Sequence, residues 1–321
     1  MQNLVVAGGA GFIGSSLCKS LLNQNYNVSC IDNLLTGDKK NIEELLKNPK
    51  FEFVAHDITH PLLDIKNKAP KIDYIFHLAS PASPNKKSKR SYINHPIETL
   101  LANSVGTYNL LNLALDCRSR FLYASSSEIY GDPMISPQKE DYFGNVNPNG
   151  IRSVYDEGKR FGEALVMAYV RKYNIDARIV RIFNTYGPNM QADDGRVVSN
   201  FVKQAINNNS ITIYGDGSQT RSFCYIDDMI LGIEKVMFSP RTKGEVINLG
   251  NPDERTILEL AKMVKQMIGS SSEIISEELS SDDPKSRNPD IEKAKKLIGW
   301  EPKVSIKEGL KKTIQYFRQI N

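Results

Sequence analysis

NLVVAGGAGFIGSSLCKSLLNQNYNVSCID, residues 3–32, decides how the chain is read. An apolar run enters the glycine-rich turn GGAGFIG. SSLCKSLLNQN then repeats apolar residues at helical spacing, and NVSCID resumes a short strand. Strand, glycine turn, helix and strand in succession make a βαβ unit. Gly8, Gly11 and Gly14 stand between the first strand and the helix. Glycine there permits a tight turn and brings backbone close to a pyrophosphate, where free N–H groups at the helix N-terminus favour an anion. Asp32 closes the second strand, 18 residues beyond Gly14. A carboxylate there accepts both hydroxyls of an adenosine ribose and repels a 2′-phosphate, which predicts NAD rather than NADP. Lys39 and Lys40 nearby soften that preference. Asp57, after the run FEFVA (51–55), suits an adenine contact and a strand-end cap equally.

Outward from this unit the alternation continues. DYIFHLAS (73–80), RFLYASSS (120–127) and ARIVRIF (177–183) read as strands, and 95–115 and 153–173 as long helices. Strands alternating with helices predict an α/β fold: a Rossmann-type, doubly wound parallel sheet covered on both faces. After about residue 184 the rhythm breaks into the polar loop NTYGPNMQADDG, shorter strands and helices, and the proline-broken loop 280–290. The expected organisation is an NAD-binding domain over 1–184 and a smaller, interwoven C-terminal α/β substrate-binding lobe over 185–321.

Composition bounds the function. The 321 residues carry 41 Lys+Arg against 37 Asp+Glu, a net charge of +4 too balanced for a dedicated nucleic-acid binder. No apolar run approaches a membrane span, and no basic or apolar leader precedes the glycine turn. Cys18, Cys30, Cys117 and Cys224 are scattered, without metal or disulfide spacing. These features predict a cytoplasmic protein with reduced thiols, no metal, no membrane and no nucleic-acid partner.

Tyr155 and Lys159, four apart on a predicted helix, share one face. A phenol is a poor base at neutral pH unless a nearby ammonium favours the phenolate; such a pair can take a proton from an alcohol while hydride leaves to NAD. Alone the spacing is common. With the glycine turn and the strand-end SSSE (125–128) it points to a dehydrogenase-type site.

GGAGFIGSSL, HLASPASP, ASSSEIYGDP, VNPNGIRSVYDEGKR, RIFNTYGPNM, DDGRVVSNF, YGDGSQTRSF, INLGNP, DDPKSRNPDI and GWEP extend the likeness over nearly the whole chain. It resembles the extended short-chain dehydrogenase/reductase family of nucleotide-sugar enzymes, and within it the UDP-glucuronate decarboxylases. The resemblance implies NAD as a recycled cofactor, UDP-glucuronate as substrate, and UDP-xylose formed through a 4-keto sugar. Tyr155 would be the base and then the acid, and Lys159 would tune it. Ser126, where threonine is common, would hold the C4 oxygen; Glu128 and Arg287 would position the carboxylate and assist its loss or the reprotonation. Phe12, Ile13, Asn33, Ile58, Leu78 and Ala79 complete the expected cofactor set. Pro81, Tyr92, Asn184, Arg196, Tyr214 and Arg221 are the expected substrate contacts, Arg221 near the diphosphate and Tyr214 stacked on uracil. Ser127 replaces the acid of the Asp-Glu pair in related 4,6-dehydratases, which argues against dehydration; Glu128 argues against simple 4-epimerases. The remaining alternative is a non-catalytic dinucleotide-binding regulator, disfavoured by the intact Tyr155, Lys159 and Ser126. The family's counterparts of 95–115 and 153–173 form a four-helix bundle between subunits, implying a homodimer. Two departures stand out: a basic insertion, NKKSKR (85–90), and Asn189 where arginine is usual.

Overall fold

A computed structural model describes residues 1–62, 71–191, 194–278 and 283–320; residues 192–193 of the polar loop after 184 and residues 280–282 of the 280–290 loop lie outside them. Seven parallel strands form the main sheet: β1 (Asn3–Ala7), β2 (Asn27–Asp32), β3 (Phe51–Ala55), β4 (Tyr74–His77), β5 (Arg120–Ser126), β6 (Ala177–Ile182) and β8 (Val246–Leu249). Their order across the sheet is β8-β6-β5-β4-β1-β2-β3, β7 (Ile211–Tyr214) lying outside it. β1 pairs in register with both β2 and β4, Val6 lying beside Cys30 and Phe76. The strand order reverses between them, and a doubly wound sheet binds ligands at that switch point, beyond the carboxyl ends of its strands. Buried strands need no alternation, and β5 is accordingly buried continuously from Phe121 to Ser126, with Phe121, Leu122 and Tyr123 at its apolar centre.

Helix α1 (Phe12–Asn23) packs on one face, sinking Leu17, Cys18 and Leu21. On the other face lie α2 (Pro96–Leu101), α3 (Thr107–Cys117) and α4 (Ser153–Tyr173). The predicted helix 95–115 is interrupted by a π-turn, Ala102–Gly106. There Gly106 closes on Ile58, where a Cβ would come within 2.6 Å of Ile58 Cδ1, and Asn103 turns inward. π-turns of this kind recur at functional sites.

Beyond residue 184 the chain builds α5 (Val197–Ile206), β7 (Ile211–Tyr214), α6 (Ile226–Phe238), α7 (Ile257–Ile268), β9 (Ile274–Glu277), α8 (Glu292–Ile298) and α9 (Ile306–Ile320). β7 and β9 make a separate parallel pair, whereas β8 returns to the main sheet beside β6. No helix among the described residues is long and apolar enough to cross a membrane.

Candidate active site

The glycine turn forms a cradle. Gly8 lies at φ +82°, and a Cβ there would come within 2.6 Å of Ala79 N; a Cβ on Gly14 would collide with the Gly8 carbonyl. Gly11 is the N-cap of α1 and offers no side-chain acceptor to the first-turn N–H groups. A backbone surface that excludes side chains and presents helix N–H groups fits a dinucleotide pyrophosphate. Asp32, only 9% exposed, is pinned by two main-chain donors, Ala10 N at 3.0 Å from Oδ2 and Leu34 N at 2.8 Å from Oδ1. Burial raises its pKa, and those two donors oppose the rise. Asn33 donates to Asp57, which also accepts from Thr59 N and Oγ1. Burial would raise the Asp57 carboxyl, but these donors outweigh it and the group is held below its ordinary value. Asp32, Asn33, Asp57, Ile58, Ala79 and Pro81 line a small cleft of about 140 Å³ that suits an adenosine. It shares Gly8, Gly11 and Leu78 with a larger cleft of about 880 Å³, which Phe12 and Ile13 also line.

The larger cleft holds Ser126, Glu128, Tyr155 and Lys159. β5 ends at Ser126, whose Oγ accepts the Glu128 N–H and caps the short turn that carries the glutamate. α4 brings Tyr155 to the same point, its ring stacked on Tyr92 at 5.0 Å and 9°. One turn on, Lys159 Nζ donates to Ala124 O at 2.8 Å and lies 5.7 Å from the Tyr155 ring centroid. Burial pushes the Tyr155 phenol up to about 12, the hydrogen bond with Ser126 pulling the other way. Burial pulls the Lys159 ammonium down to about 7, with Glu163 opposing. The sequence suggested an ammonium lowering a phenol; in the structure desolvation dominates both groups.

A stability prediction follows from Lys159. Its folded pKa lies below the unfolded value of 10.5, so folding penalises the ammonium fully below about pH 7 and ever less as pH rises toward 10.5. Lys159→Met, melted without added NAD, is expected to exceed the wild type in Tm at pH 6–7, the gap closing toward pH 10, while turnover is lost. A lower Tm for the variant at pH 7 would contradict this account.

Ion pairs link the far wall. Glu128 Oε2 meets Arg152 Nη2 at 2.5 Å and Arg287 Nη2 at 3.2 Å. Arg152 reaches on to Asp283, which also holds Arg221. Burial alone would raise the Glu128 carboxyl, but Arg287 and Arg152 outweigh it and keep the group ionised, well below the usual carboxylate range. Asp156, beside Tyr155, is 6% exposed with Oδ1 unpartnered, and its carboxyl is pushed well up by burial and then by the Glu128 charge.

Of the expected substrate contacts, Tyr92, Asn184, Arg196, Tyr214 and Arg221 line the larger cleft. Asn184 Nδ2 is buried without a protein partner, an orphan donor at the cleft wall. Arg196 caps α5 and is held by Asp194 at 2.7 Å. Arg287, 1% exposed, reaches the site through Glu128 and the Gly131 carbonyl. Asn189 takes a positive φ of 65°, which asparagine tolerates better than most residues. The basic insertion spans the cleft: Arg90 Nη1 donates to the carbonyls of Thr36 and Gly37, and Lys87 Nζ pairs with Glu277 at 3.2 Å.

Sequence reasoning missed Arg152, Asp156 and Asp283, although Arg152 and Asp156 flank Tyr155 in RSVYD. It also missed Asn103, whose Nδ2 donates to Ser80 Oγ while its Oδ1 accepts from the Tyr123 hydroxyl under Lys159.

The model of the NAD dependent epimerase/dehydratase family matches residues 4–250. UDP-glucuronic acid decarboxylase 1 of Xenopus tropicalis is 46% identical over 99% of this chain and 72% of that protein. UDP-glucuronic acid decarboxylase 5 of Arabidopsis thaliana is 48% identical over 99% of this chain and 89% of that protein. Among solved structures, the UDP-glucuronic acid 4-epimerase of Bacillus cereus, in complex with UDP-glucuronic acid and NAD, superposes with a TM-score of 0.88 at 31% identity, covering the whole of both chains. The UDP-glucose 4-epimerase of Thermotoga maritima, with UDP-glucose, gives 0.90 at 29% identity, covering 99% of each.

Proposed function

The chain belongs to the NAD dependent epimerase/dehydratase family, and from that premise we propose that it decarboxylates UDP-glucuronate to UDP-xylose. The observation that carries the reading is the placement of Glu128, held ionised against Arg287 and Arg152, at the end of the strand that also delivers Ser126 to Tyr155. Gly8, Gly11 and Gly14, with Asp32 at the adenosine end, would hold NAD, which when bound would supply a recycled hydride acceptor for C4. Tyr155 takes the C4 hydroxyl proton and Ser126 holds that oxygen. Once C4 is a ketone, the carboxylate on C5 is β to it and can leave as CO₂, its bonding electrons passing into an enolate. A proton added at C5 and the hydride returned to C4 give the pentose, with Tyr155 giving its proton back to the C4 oxygen.

Two features separate this from neighbouring chemistries. Dehydration needs an acid to expel a hydroxyl, and the strand end offers Ser127 and an ionised Glu128. A non-catalytic dinucleotide sensor would not need Tyr155, Lys159 and Ser126 brought together in one cleft. The two relatives at 46% and 48% identity carry the decarboxylase name, whereas the epimerase structures are 29–31% identical. Incubation with NAD and UDP-glucuronate is expected to release CO₂ and a UDP-pentose in equal amounts. An epimerised uronate without CO₂ would refute the proposal.

The working unit in this reading is a cytoplasmic homodimer. Ile97 (61% exposed), Leu100, Val105 and Tyr108 along α2, the π-turn and α3 are left uncovered, as is Phe161 (53%) on α4. Adjacent apolar residues on two neighbouring helices mark an interaction face. Sedimentation is expected to show a dimer, and Phe161→Glu a monomer; a wild-type monomer at micromolar concentration would exclude the pairing.

A further inference from the structure

Asp283 bridges two arginines with separate oxygens. Its Oδ1 lies 3.2 Å from Arg152 Nη1 and its Oδ2 2.9 Å from Arg221 Nη2. All three side chains line the same cleft as Tyr155 and Glu128. Two guanidiniums converging on one oxygen pair are the arrangement that recognises a carboxylate or a phosphate. Of the two carboxylates in this chain of ion pairs, Glu128 is committed: it holds Arg287, which is 1% exposed, as well as Arg152. Asp283 is the more open, with 23% of its side chain exposed against 16% for Glu128 and 11% for each of its arginine partners. The backbone beyond it is anchored from Lys285 onward, whose N–H donates to Asp132 Oδ1 and whose carbonyl accepts from Thr220 N. Asp283 can therefore swing, on the far side of Pro284, without unseating the segment that carries Arg287.

We propose that Asp283 is a built-in stand-in for an anionic group of the substrate. The anionic oxygens of the incoming nucleotide sugar take over Arg152 and Arg221, and Asp283 turns out to water. This rests on the UDP-glucuronate reading. The recognised chemistry is an oxyanion, supplied by either the uronate carboxylate or the diphosphate of that molecule. The exchange keeps both arginines oriented and charge-balanced, and it lowers apparent affinity by the fraction of molecules in which Asp283 holds them. A ligand lacking the matching anion cannot complete the exchange, so the device adds selectivity.

The sign of the effect distinguishes this from a scaffold role. In a Tyr155→Phe background, where UDP-glucuronate is not consumed, Asp283→Asn and Asp283→Ala, titrated calorimetrically with NAD present, are expected to bind UDP-glucuronate about 3- to 10-fold more tightly than the Tyr155→Phe parent, since two partly exposed ion pairs no longer compete. If UDP-xylose tightens equally, Asp283 stands in for the diphosphate; if UDP-xylose is unchanged, for the carboxylate. Weaker or unchanged UDP-glucuronate binding in both variants overturns the proposal. Should either variant fold poorly, Tyr155→Phe alone gives a second readout: saturating UDP-glucuronate is expected to speed amide exchange over 283–286, and slowed or unchanged exchange there counts against the swing. A wild type that binds these nucleotides but releases no CO₂ refutes the functional reading alone; one that binds neither nucleotide overturns both.

Discussion

Replacing Tyr155 by phenylalanine is expected to lower kcat by about 10³-fold, within the range that a positioned acid–base group contributes, while NAD and UDP-glucuronate affinities stay within about twofold of wild type. The substitution is conservative for the fold. The ring's main neighbour is Tyr92, stacked at 5.0 Å, and phenylalanine keeps that contact. What disappears is the hydroxyl paired with Ser126. The phenol starts protonated, because burial holds its pKa near 12. To accept the C4 proton it must first release its own to solvent, so that it enters and leaves each turnover as the phenolate. Ser126→Ala should reproduce part of the loss, about 10-fold, because Ser126 also holds the turn carrying Glu128. Following nicotinamide absorbance in a single turnover checks the assignment. A Tyr155→Phe enzyme that reduces NAD at the wild-type rate would show that another group takes the C4 proton.

Much of this site is readable in the sequence because its parts are local. The glycine cradle, the strand-end Ser126–Glu128 pair and the Tyr155–Lys159 pair each lie within one element or one turn, where spacing fixes geometry. The parallel sheet is readable for the same reason: β1, β2, β5 and β6 are short apolar runs bounded by turns. What escapes is set by tertiary contact. The stretch 95–115 keeps helical apolar spacing throughout, so nothing in it announces the π-turn; that depends on Gly106 meeting Ile58 from the loop after β3. Leu78 and Ala79 extend the apolar run of β4, yet the strand ends at His77, and Ala79 packs against the glycine turn. Arg152, Glu128, Asp283 and Arg221 come from four separate segments, and no pattern states which cation meets which carboxylate. The short strands after 184, such as Thr220–Ser222 and Glu254–Thr256, hold too few residues to show a period.

Glu128→Gln is expected to separate chemistry from binding. Turnover should fall about 10²-fold, with KM for UDP-glucuronate changed less than about threefold. Glu128 remains ionised between Arg287 and Arg152, so at any working pH it acts as a fixed negative charge and acceptor, and it is not a proton donor. The amide keeps the shape and one acceptor oxygen but removes the charge. Arg287, already lacking a partner for Nε, then sits buried beside a neutral group, and removing its counter-charge destabilises the fold by about 1–3 kcal/mol. The guanidinium also gains freedom to pair with the substrate carboxylate. A carboxylate gripped more tightly in the ground state leaves less readily as CO₂, so the ternary complex forms and the bond breaks slowly. The expected signature is accumulated 4-keto uronate with reduced nicotinamide in single-turnover experiments, and CO₂ release lagging behind NAD reduction. Equal losses of affinity and turnover would make Glu128 a binding residue. Unimpaired CO₂ release would remove it from the chemistry and leave Arg287 to act alone.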